Sequence, residues 1–288
     1  MTLKYYNDLA YEEIGEENNE IILFLHTKLL GKWIWKKQKE GHSQYFNDYH
    51  CIFLDLPNHG ESKTEGEFSI SKASIEVIQF IEALIEREGK NFSNPKKINI
   101  VALGIGSSIA IEIINKIPQM IDSLVVSGPE IADWKEDETN SIVNGLAKTQ
   151  SEYLNEKSDI FITKAYLRYY GIPKEYYDDV EMILERSIKE EKKIAFESLN
   201  YTIPKDLLKN NELLEKDNIL IIYGNKEDLD CTKSAIGLKN LFKKGKLVEI
   251  NRGKHLWNII DCELFNAIVI DFIKSNHIKE NSKVKIIE

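Results

Sequence analysis

Cysteine is scarce in this chain, and the chain has neither a long apolar run nor an excess of positive charge. Cys51, Cys231 and Cys262 are the three cysteines among 288 residues. They stand far apart, so neither a disulfide framework nor a metal-ligand spacing is predicted. No apolar stretch approaches the roughly 18 residues that are needed to cross a bilayer. The 38 basic residues are outnumbered by 47 acidic ones, which makes the chain a poor ligand for nucleic acid.

The remaining composition is that of an ordinary soluble domain. The chain is 42% hydrophobic and 30% charged, a balance typical of globular proteins. Residues 1–13 do not show the basic and then apolar pattern of a signal peptide. We therefore expect a cytoplasmic protein with no membrane partner. The sequence predicts no metal and no cofactor, and it leaves the oligomeric state open.

Short apolar runs bounded by turn residues predict the strands of a parallel sheet that is buried on both faces. The predicted strands are Ile21–Leu25, Cys51–Leu54, Ile98–Leu103, Ser123–Val126, Ile219–Tyr223 and Lys246–Ile250. Apolar residues at helical intervals lie between these runs, for example over 70–88. Strand alternating with helix predicts an α/β, mostly parallel, doubly wound sheet. Leu3–Ile14 is predicted to add an antiparallel hairpin that turns at Asn7 and Asp8.

The alternation is interrupted once, and this sets the predicted domain boundaries. Residues 133–216 contain no strand-like run, and their spacing favours several helices inserted between two strands. Such an insertion is expected to cap the carboxyl ends of the strands, where open α/β sheets bind ligands. We predict a core of residues 1–132 and 217–277, a helical cap of residues 133–216, and a charged, frayed tail of residues 278–288.

Polar residues cluster where each predicted strand stops. The first long strand is followed by His26 and Thr27, and the second by the segment DLPNHGES (55–62). The third leads through Gly104-Ile-Gly-Ser-Ser directly into a helix, and the last two end in GNKED (224–228) and GKHLWN (253–258).

These markers, in this order, resemble the α/β-hydrolase fold and more narrowly small bacterial-type serine hydrolases with a helical cap. In these proteins a strand ending in His-Gly precedes a Trp-x-Trp helix. A D-x-P-x-H-G-x-S turn, a G-x-S-x-G nucleophile elbow, a cap, a G-x-x-D strand end and a late Gly-x-x-His follow. The resemblance spans about residues 9–275. Fold alone does not establish function.

The resemblance places Gly106 at the elbow position, where the family has its nucleophilic serine. Glycine has no nucleophilic atom, so the standard triad is predicted to be incomplete. A register slip would bring Ser107 to the nucleophile's place instead. The alternative role for Ser107 is to cap the following helix.

His255 matches the family's general base, and the G-x-x-D spacing places Glu227 at the acid position with Asp228 adjacent. Glu130, at another strand end, is a reserve acid. Thr27 stands where the family has glycine, and the backbone N–H groups of Thr27 and Ser107 are the predicted oxyanion donors. The predicted pocket residues are aromatic or imidazole side chains near the strand ends. They are His26, Trp33, Trp35 and Trp257, with helix packing an equal alternative for Trp33 and Trp35.

Three functions remain open from the sequence. The favoured one is a relative of carboxylic ester and acyl hydrolases that has lost standard serine-hydrolase activity and binds a small apolar or acyl ligand under its cap. The second is a working hydrolase that uses either Ser107 as nucleophile or a His255–Glu227 general-base pair. The third is a non-catalytic module that binds a ligand or another protein.

Overall fold

A single nine-stranded sheet organises the computed structural model, which describes residues 2–28, 30–63, 67–87, 97–131, 172, 174 and 201–288. The strands run in the spatial order β1-β2-β4-β3-β5-β6-β7-β8-β9. Their bounds are β1 Lys4–Tyr6, β2 Leu9–Ile14, β3 Glu20–Leu25, β4 Tyr49–Leu54, β5 Ile98–Leu103, β6 Ile121–Ser127, β7 Ile219–Gly224, β8 Lys246–Ile250 and β9 Val284–Ile287.

The central strands are parallel and the edges are antiparallel. Each neighbouring pair from β4 through β3, β5, β6 and β7 to β8 is parallel. At one edge, β1 and β2 form the predicted hairpin, whose turn includes Asn7 in the left-handed region at φ 50°. This arrangement confirms the α/β, mostly parallel sheet that the apolar runs predicted.

Helices cover both faces of the sheet. Their bounds are α1 Lys36–Glu40, α2 Ile70–Arg87, α3 Ile105–Lys116, α4 Asn211–Leu214, α5 Leu229–Leu241, α6 Trp257–Ile260 and α7 Cys262–Ser275. Short turns of other helical types cover Lys32–Trp35, His42–Phe46, Pro118–Met120 and Leu207–Lys209.

The alternation of side chains along each strand divides the core into two layers. In β3, Leu23 and Leu25 pack in one layer with α2, α3 and α5, whereas Ile22 and Phe24 pack in the other with α6 and α7. Because both faces of the central strands are covered, these strands carry continuous apolar runs rather than an alternating pattern.

The C-terminal tail differs from its prediction. Residues 278–288 were expected to fray, but β9 pairs antiparallel with β8, with Val284 opposite Ile250. Alternate apolar residues of the tail supply the reason, because Val284 is buried against the layer that contains α7. The predicted cap lies mostly outside the described residues, so the domain division stays a prediction. Within the described ranges, no helix combines the length and the apolar character needed to cross a bilayer.

Candidate active site

The bend between β5 and α3 lies at Gly104. Its backbone has φ 55° and ψ −120°, a left-handed conformation that glycine adopts readily and other residues rarely do. The predicted position of this bend, Gly106, is therefore wrong by two residues. The sequence contains glycine at both positions, and only the backbone angles separate them. The nucleophile position of the α/β-hydrolase resemblance falls on Gly104.

Gly106 and Ser107 belong to the first turn of α3. A β-carbon on Gly106 would lie 2.6 Å from the carbonyl oxygen of His26, so glycine permits the close approach of α3 to the end of β3. The Ser107 hydroxyl donates to the carbonyl oxygens of Ala102 (3.2 Å) and Ser127 (3.3 Å). Ser107 therefore does not present its hydroxyl at the bend. Its N–H donates to the carbonyl of Gly104 at 2.9 Å, so the predicted oxyanion role is wrong as well.

Glu227 and His255 form the acid–imidazole pair that the sequence suggested. Glu227 Oε1 lies 2.9 Å from His255 Nδ1, and the Glu227 side chain is 1% exposed. Its other oxygen accepts the N–H of Gly224, at the end of β7, at 2.7 Å. The carboxylate is thus folded back on its own turn, which accommodates the extra methylene of glutamate relative to aspartate. Because Nδ1 donates its proton to Glu227, Nε2 is the nitrogen whose lone pair can accept a proton.

Gly128 makes room for this pair at the end of β6. It has φ 55°, and a β-carbon there would lie 2.5 Å from Glu227 Oε1 and 2.8 Å from His255 Nδ1. Any larger residue would occupy the space of the hydrogen bond itself.

Thr27 faces the other nitrogen of the imidazole. Thr27 Oγ1 lies 3.2 Å from His255 Nε2, and both residues are buried. With Nδ1–H bonded to Glu227, the Thr27 hydroxyl donates to Nε2. Thr27, His255 and Glu227 are therefore connected by hydrogen bonds in the order hydroxyl, imidazole, carboxylate. The sequence pointed to Thr27 only for its backbone N–H. The missed signal was a hydroxyl residue standing where the resemblance has glycine.

His26 fixes the backbone around Thr27. Its Nδ1–H donates to the carbonyl of Thr27 at 2.6 Å, and its Nε2 accepts the N–H of Leu56 at 2.9 Å. Complete burial, together with the neighbouring His59, lowers the pKa of His26 to about 3. It is therefore a neutral link between the ends of β3 and β4, rather than the pocket side chain that was predicted.

Charged groups around His255 act in opposite directions on its pKa. Burial lowers the pKa, but the hydrogen bond and charge of Glu227, and the charge of Glu130, outweigh burial and raise it above its usual 6.5. Lys28 opposes them. Lys28 Nζ and Glu130 Oε2 form an ion pair at 2.7 Å, with each side chain 28% exposed.

One group of metal-ligating atoms occurs within the described ranges. Atoms of Glu130, Cys231 and His255 all lie within 4.8 Å of one another. Both imidazole nitrogens already have hydrogen-bond partners, and Lys28 is bonded to Glu130. Burial raises the pKa of the Cys231 thiol well above its usual value, which disfavours the thiolate that a metal requires. A metal at this place would have to displace all these contacts.

The remaining predicted site residues lie elsewhere. Asp228 is exposed at the N-terminus of α5, so Glu227 and not Asp228 approaches His255. Trp35 is fully buried against Phe24 and Phe265, with ring centres 5.1 and 5.9 Å away. Trp257 also packs on Phe265, and its Nε1–H donates to Ser127 Oγ at 2.9 Å.

These contacts favour packing in the core over lining a pocket for the tryptophans. Trp35 and Trp257 are core residues, and the pocket prediction is wrong for both. Trp33 is partly buried against the same layer.

The arrangement contains the parts of a proton-transfer site. An imidazole held by a buried carboxylate can accept a proton from a hydroxyl or from water. The N–H groups of Ile105 and Gly106 precede the first hydrogen bond of α3, which Ser107 donates to Gly104, so they have no partner within the helix. Such groups stabilise negative charge that develops next to them.

The comparisons with known proteins agree on the fold. No protein-family model and no curated protein sequence matches the chain. Among solved structures, the chain is similar to MenH from S. aureus at TM-score 0.70 and 17% identity, covering 93% of this chain and 98% of that one. It is similar to a thermophilic esterase from Thermogutta terrifontis at TM-score 0.70 and 16% identity, covering 94% of each chain.

A third similar structure is a meta-cleavage product hydrolase from Pseudomonas fluorescens IP01. The TM-score is 0.69 and the identity 17%, covering 93% of this chain and 95% of that one. Together with the strand order, these similarities show that the chain has the α/β-hydrolase fold.

Proposed function

We propose that this protein hydrolyses carboxylic esters or related acyl compounds, with His255 and Glu227 as its acid–base pair and without the serine of standard serine hydrolases. The observation that carries the proposal is the 2.9 Å bond between Glu227 and His255. It leaves Nε2 directed at the bend, 2.9 Å from where a β-carbon of residue 104 would lie.

The position of the pair relative to the sheet supports this function. Glu227 follows β7, His255 follows β8 and the bend follows β5, so all three lie at the carboxyl ends of parallel strands. Ligands bind at this edge in open α/β sheets. One of the similar structures is an esterase and another is a hydrolase, which agrees with hydrolysis as the type of reaction.

Burial of the pair favours a working enzyme over an inactive relative. Taking an imidazole and a carboxylate out of water costs free energy, and their mutual attraction offsets this cost only when the geometry is good. Here the good geometry requires Gly128 in a left-handed conformation and the folded-back Glu227. These features orient a proton acceptor, and a site that only binds an apolar ligand has no need of one.

Hydrolysis of p-nitrophenyl acetate and p-nitrophenyl butyrate tests the proposal. We expect wild-type turnover, and we expect His255→Ala to lower kcat/KM by about 10²–10⁴-fold through loss of general-base catalysis. His277→Ala, which removes an exposed histidine, is the matched control and should retain the wild-type rate. Equal rates for wild type and His255→Ala would contradict the proposal.

The second candidate is a non-catalytic protein that binds a small apolar or acyl ligand beneath the predicted cap. The specific observation in its favour is Gly104, which supplies no hydroxyl at the bend. It predicts that p-nitrophenyl esters are not hydrolysed by the wild-type protein.

A further inference from the structure

We propose that Thr27 is the nucleophile of this site, so that the reactive hydroxyl comes from the end of β3 rather than from the bend after β5. The inference rests on the proposed acyl hydrolysis and adds the residue that forms the covalent bond. The observation behind it is the contact between Thr27 Oγ1 and His255 Nε2 at 3.2 Å.

The side chain of Thr27 occupies the space that a residue 104 side chain would need. A β-carbon on Gly104 would lie 2.0 Å from Thr27 Oγ1 and 2.7 Å from Thr27 Cβ. Both distances are far below van der Waals contact, so the site holds either a side chain at 104 or the threonine at 27. The serine hydrolases that the sequence resembles have glycine after the first histidine and serine at the bend. In this chain the hydroxyl residue and the glycine stand in the opposite positions.

The surroundings of Thr27 provide what a weak nucleophile requires. A threonine hydroxyl reacts only when an adjacent base removes its proton, and the base works best when a third group orients it. His255 is that base and Glu227 is that third group, at 2.9 Å from Nδ1.

The direction of the Thr27 side chain is fixed by its neighbours. His26 Nδ1–H holds the Thr27 carbonyl at 2.6 Å. Branching at the β-carbon restricts the χ1 angle of threonine. With the χ1 angle restricted in this way, the hydroxyl lies toward the imidazole, 3.2 Å from His255 Nε2.

The reaction balances without any group from outside the site except water. Thr27 Oγ attacks the acyl carbon, its proton passes to His255 Nε2, and the carbonyl oxygen takes the negative charge. The tetrahedral intermediate then collapses, and His255 returns the proton to the departing alcohol, which leaves an ester on Thr27. Water attacks this ester and gives a proton to His255 Nε2. The second tetrahedral intermediate then collapses, His255 returns that proton to Thr27 Oγ, and the carboxylic acid is released.

The first turn of α3 is the source of oxyanion donors. The hydroxyl of Thr27 lies beside Gly104, immediately before the helix begins at Ile105. The N–H groups at this helix start lack intrahelical partners, and they stabilise an oxyanion that forms next to them. The N–H of Ser107 is not one of them, since it is bonded to Gly104.

Covalent labelling tests the identity of the nucleophile without depending on the natural substrate. The Thr27 side chain is buried, so a small probe is appropriate, and we choose diisopropyl fluorophosphate. Intact mass and peptide mapping should show one adduct, on the peptide that contains Thr27. The adduct should persist in Thr27→Ser and disappear in Thr27→Val and in His255→Ala. Thr232→Val, the same substitution on α5, is the matched control and should label like wild type.

Turnover of p-nitrophenyl acetate separates this inference from the proposed function. We expect Thr27→Val to lower kcat/KM by about 10²-fold or more, with thermal unfolding measured to confirm that the variant is folded. If His255→Ala abolishes hydrolysis while Thr27→Val retains it, Thr27 is not the nucleophile, and His255 acts directly on water. If the wild type shows neither an adduct nor turnover, both the inference and the proposed function are overturned.

An exchange of the two residues gives an independent test. Gly104→Ser alone should destabilise the protein, because its β-carbon would meet Thr27. Thr27→Gly with Gly104→Ser removes this clash and should label on residue 104 instead of residue 27. A Gly104→Ser protein as stable as wild type would overturn the steric argument.

Discussion

Two buried glutamate–histidine pairs in this molecule differ in what else touches the carboxylate. Glu13 on β2 lies 2.7 Å from His50 Nε2 on β4, and Glu227 lies 2.9 Å from His255 Nδ1. Both glutamate side chains are 1% exposed. By distance and burial alone the two pairs are nearly the same.

Their partners separate them. Glu13 also accepts from Lys4 Nζ at 2.6 Å and from Arg87 Nη2 at 3.0 Å. Burial raises the pKa of Glu13, but the hydrogen bonds from His50, Arg87 and Lys4 outweigh it and hold that pKa well below its usual range. Such a carboxylate stays ionised and acts as a fixed anchor between β2, β4 and α2.

The groups that hold Glu227 are neutral or titratable instead. Its second oxygen accepts a backbone N–H from Gly224, and the far nitrogen of its histidine meets the hydroxyl of Thr27. A cation on the carboxylate would weaken its hold on the imidazolium. A buried carboxylate–imidazole pair is suited to proton transfer when the second imidazole nitrogen contacts a hydroxyl. It is suited to stabilising the fold when cationic side chains occupy the remaining positions around the carboxylate.

The largest expected effect is on catalysis, from Glu227→Gln. The amide cannot stabilise a charged imidazole as a carboxylate does, so we expect kcat/KM for p-nitrophenyl acetate to fall by about 10²–10⁴-fold. Glu249→Gln, on β8, is the control and should leave the rate unchanged. A Glu227→Gln protein with the wild-type rate would remove the distinction between the two pairs.

The next effect is on stability, from Glu13→Ala. It leaves His50 and Arg87 facing an empty site, and breaking a buried ion pair costs about 3–5 kcal/mol. Urea denaturation measures this as a lower midpoint, with activity per folded molecule unchanged. Glu16→Ala removes an exposed partner of the same Lys4 and should cost less than about 1 kcal/mol. Equal losses from the two variants would contradict the anchoring role.

The stabilisation from Glu13 should depend on pH in a defined direction. The folded state holds the Glu13 pKa below its ordinary 4.5, so its contribution is complete above pH 4.5 and is lost as the pH falls below that value. The free energy of unfolding of the wild type should therefore approach that of Glu13→Gln as the solution is acidified. Urea titrations of both proteins between pH 7 and pH 3 measure this difference, and a constant difference would contradict the assignment.

The smallest expected effect is a shift in the pH dependence of activity. His255 must be neutral to accept a proton, so kcat/KM should rise with pH to a midpoint above 6.5, because its pKa is raised. Lys28→Met removes a group that lowers this pKa and should move the midpoint to higher pH. Glu130→Gln removes a group that raises it and should move the midpoint to lower pH. Shifts of the two variants in the same direction would contradict the electrostatic explanation.

The fold was predictable because the central strands are covered on both faces. Their continuous apolar runs, such as Ile98–Leu103, stand out against the charged helices, and each predicted run lies in a strand. The strand β9 was not predictable from the same signal. It is only four residues long and lies at a sheet edge, and its one fully buried residue, Val284, stands between Lys283 and Lys285, so the segment resembled a charged free tail.

The site was predictable only where a single residue type marked it. His255 and Glu227 were found because the family resemblance assigns a histidine and an acid to these two strand ends. The bend was misplaced because Gly104 and Gly106 look alike in sequence, and they differ only in backbone angles that depend on the packing of α3. The hydroxyl of Thr27 was missed because its contact with His255 joins residues 228 positions apart.

The mutual exclusion between Thr27 and a side chain at residue 104 constrains how such a site can change during evolution. A lineage moving between a hydroxyl on 27 and a hydroxyl on 104 by single replacements must pass through a protein with both side chains or with neither. The protein with both side chains has a steric clash, because the β-carbon at residue 104 would overlap the threonine oxygen. The second has glycine at both positions and fits without a clash, but its imidazole faces no hydroxyl. Every route that avoids the clash therefore passes through a protein that has no hydroxyl at either place.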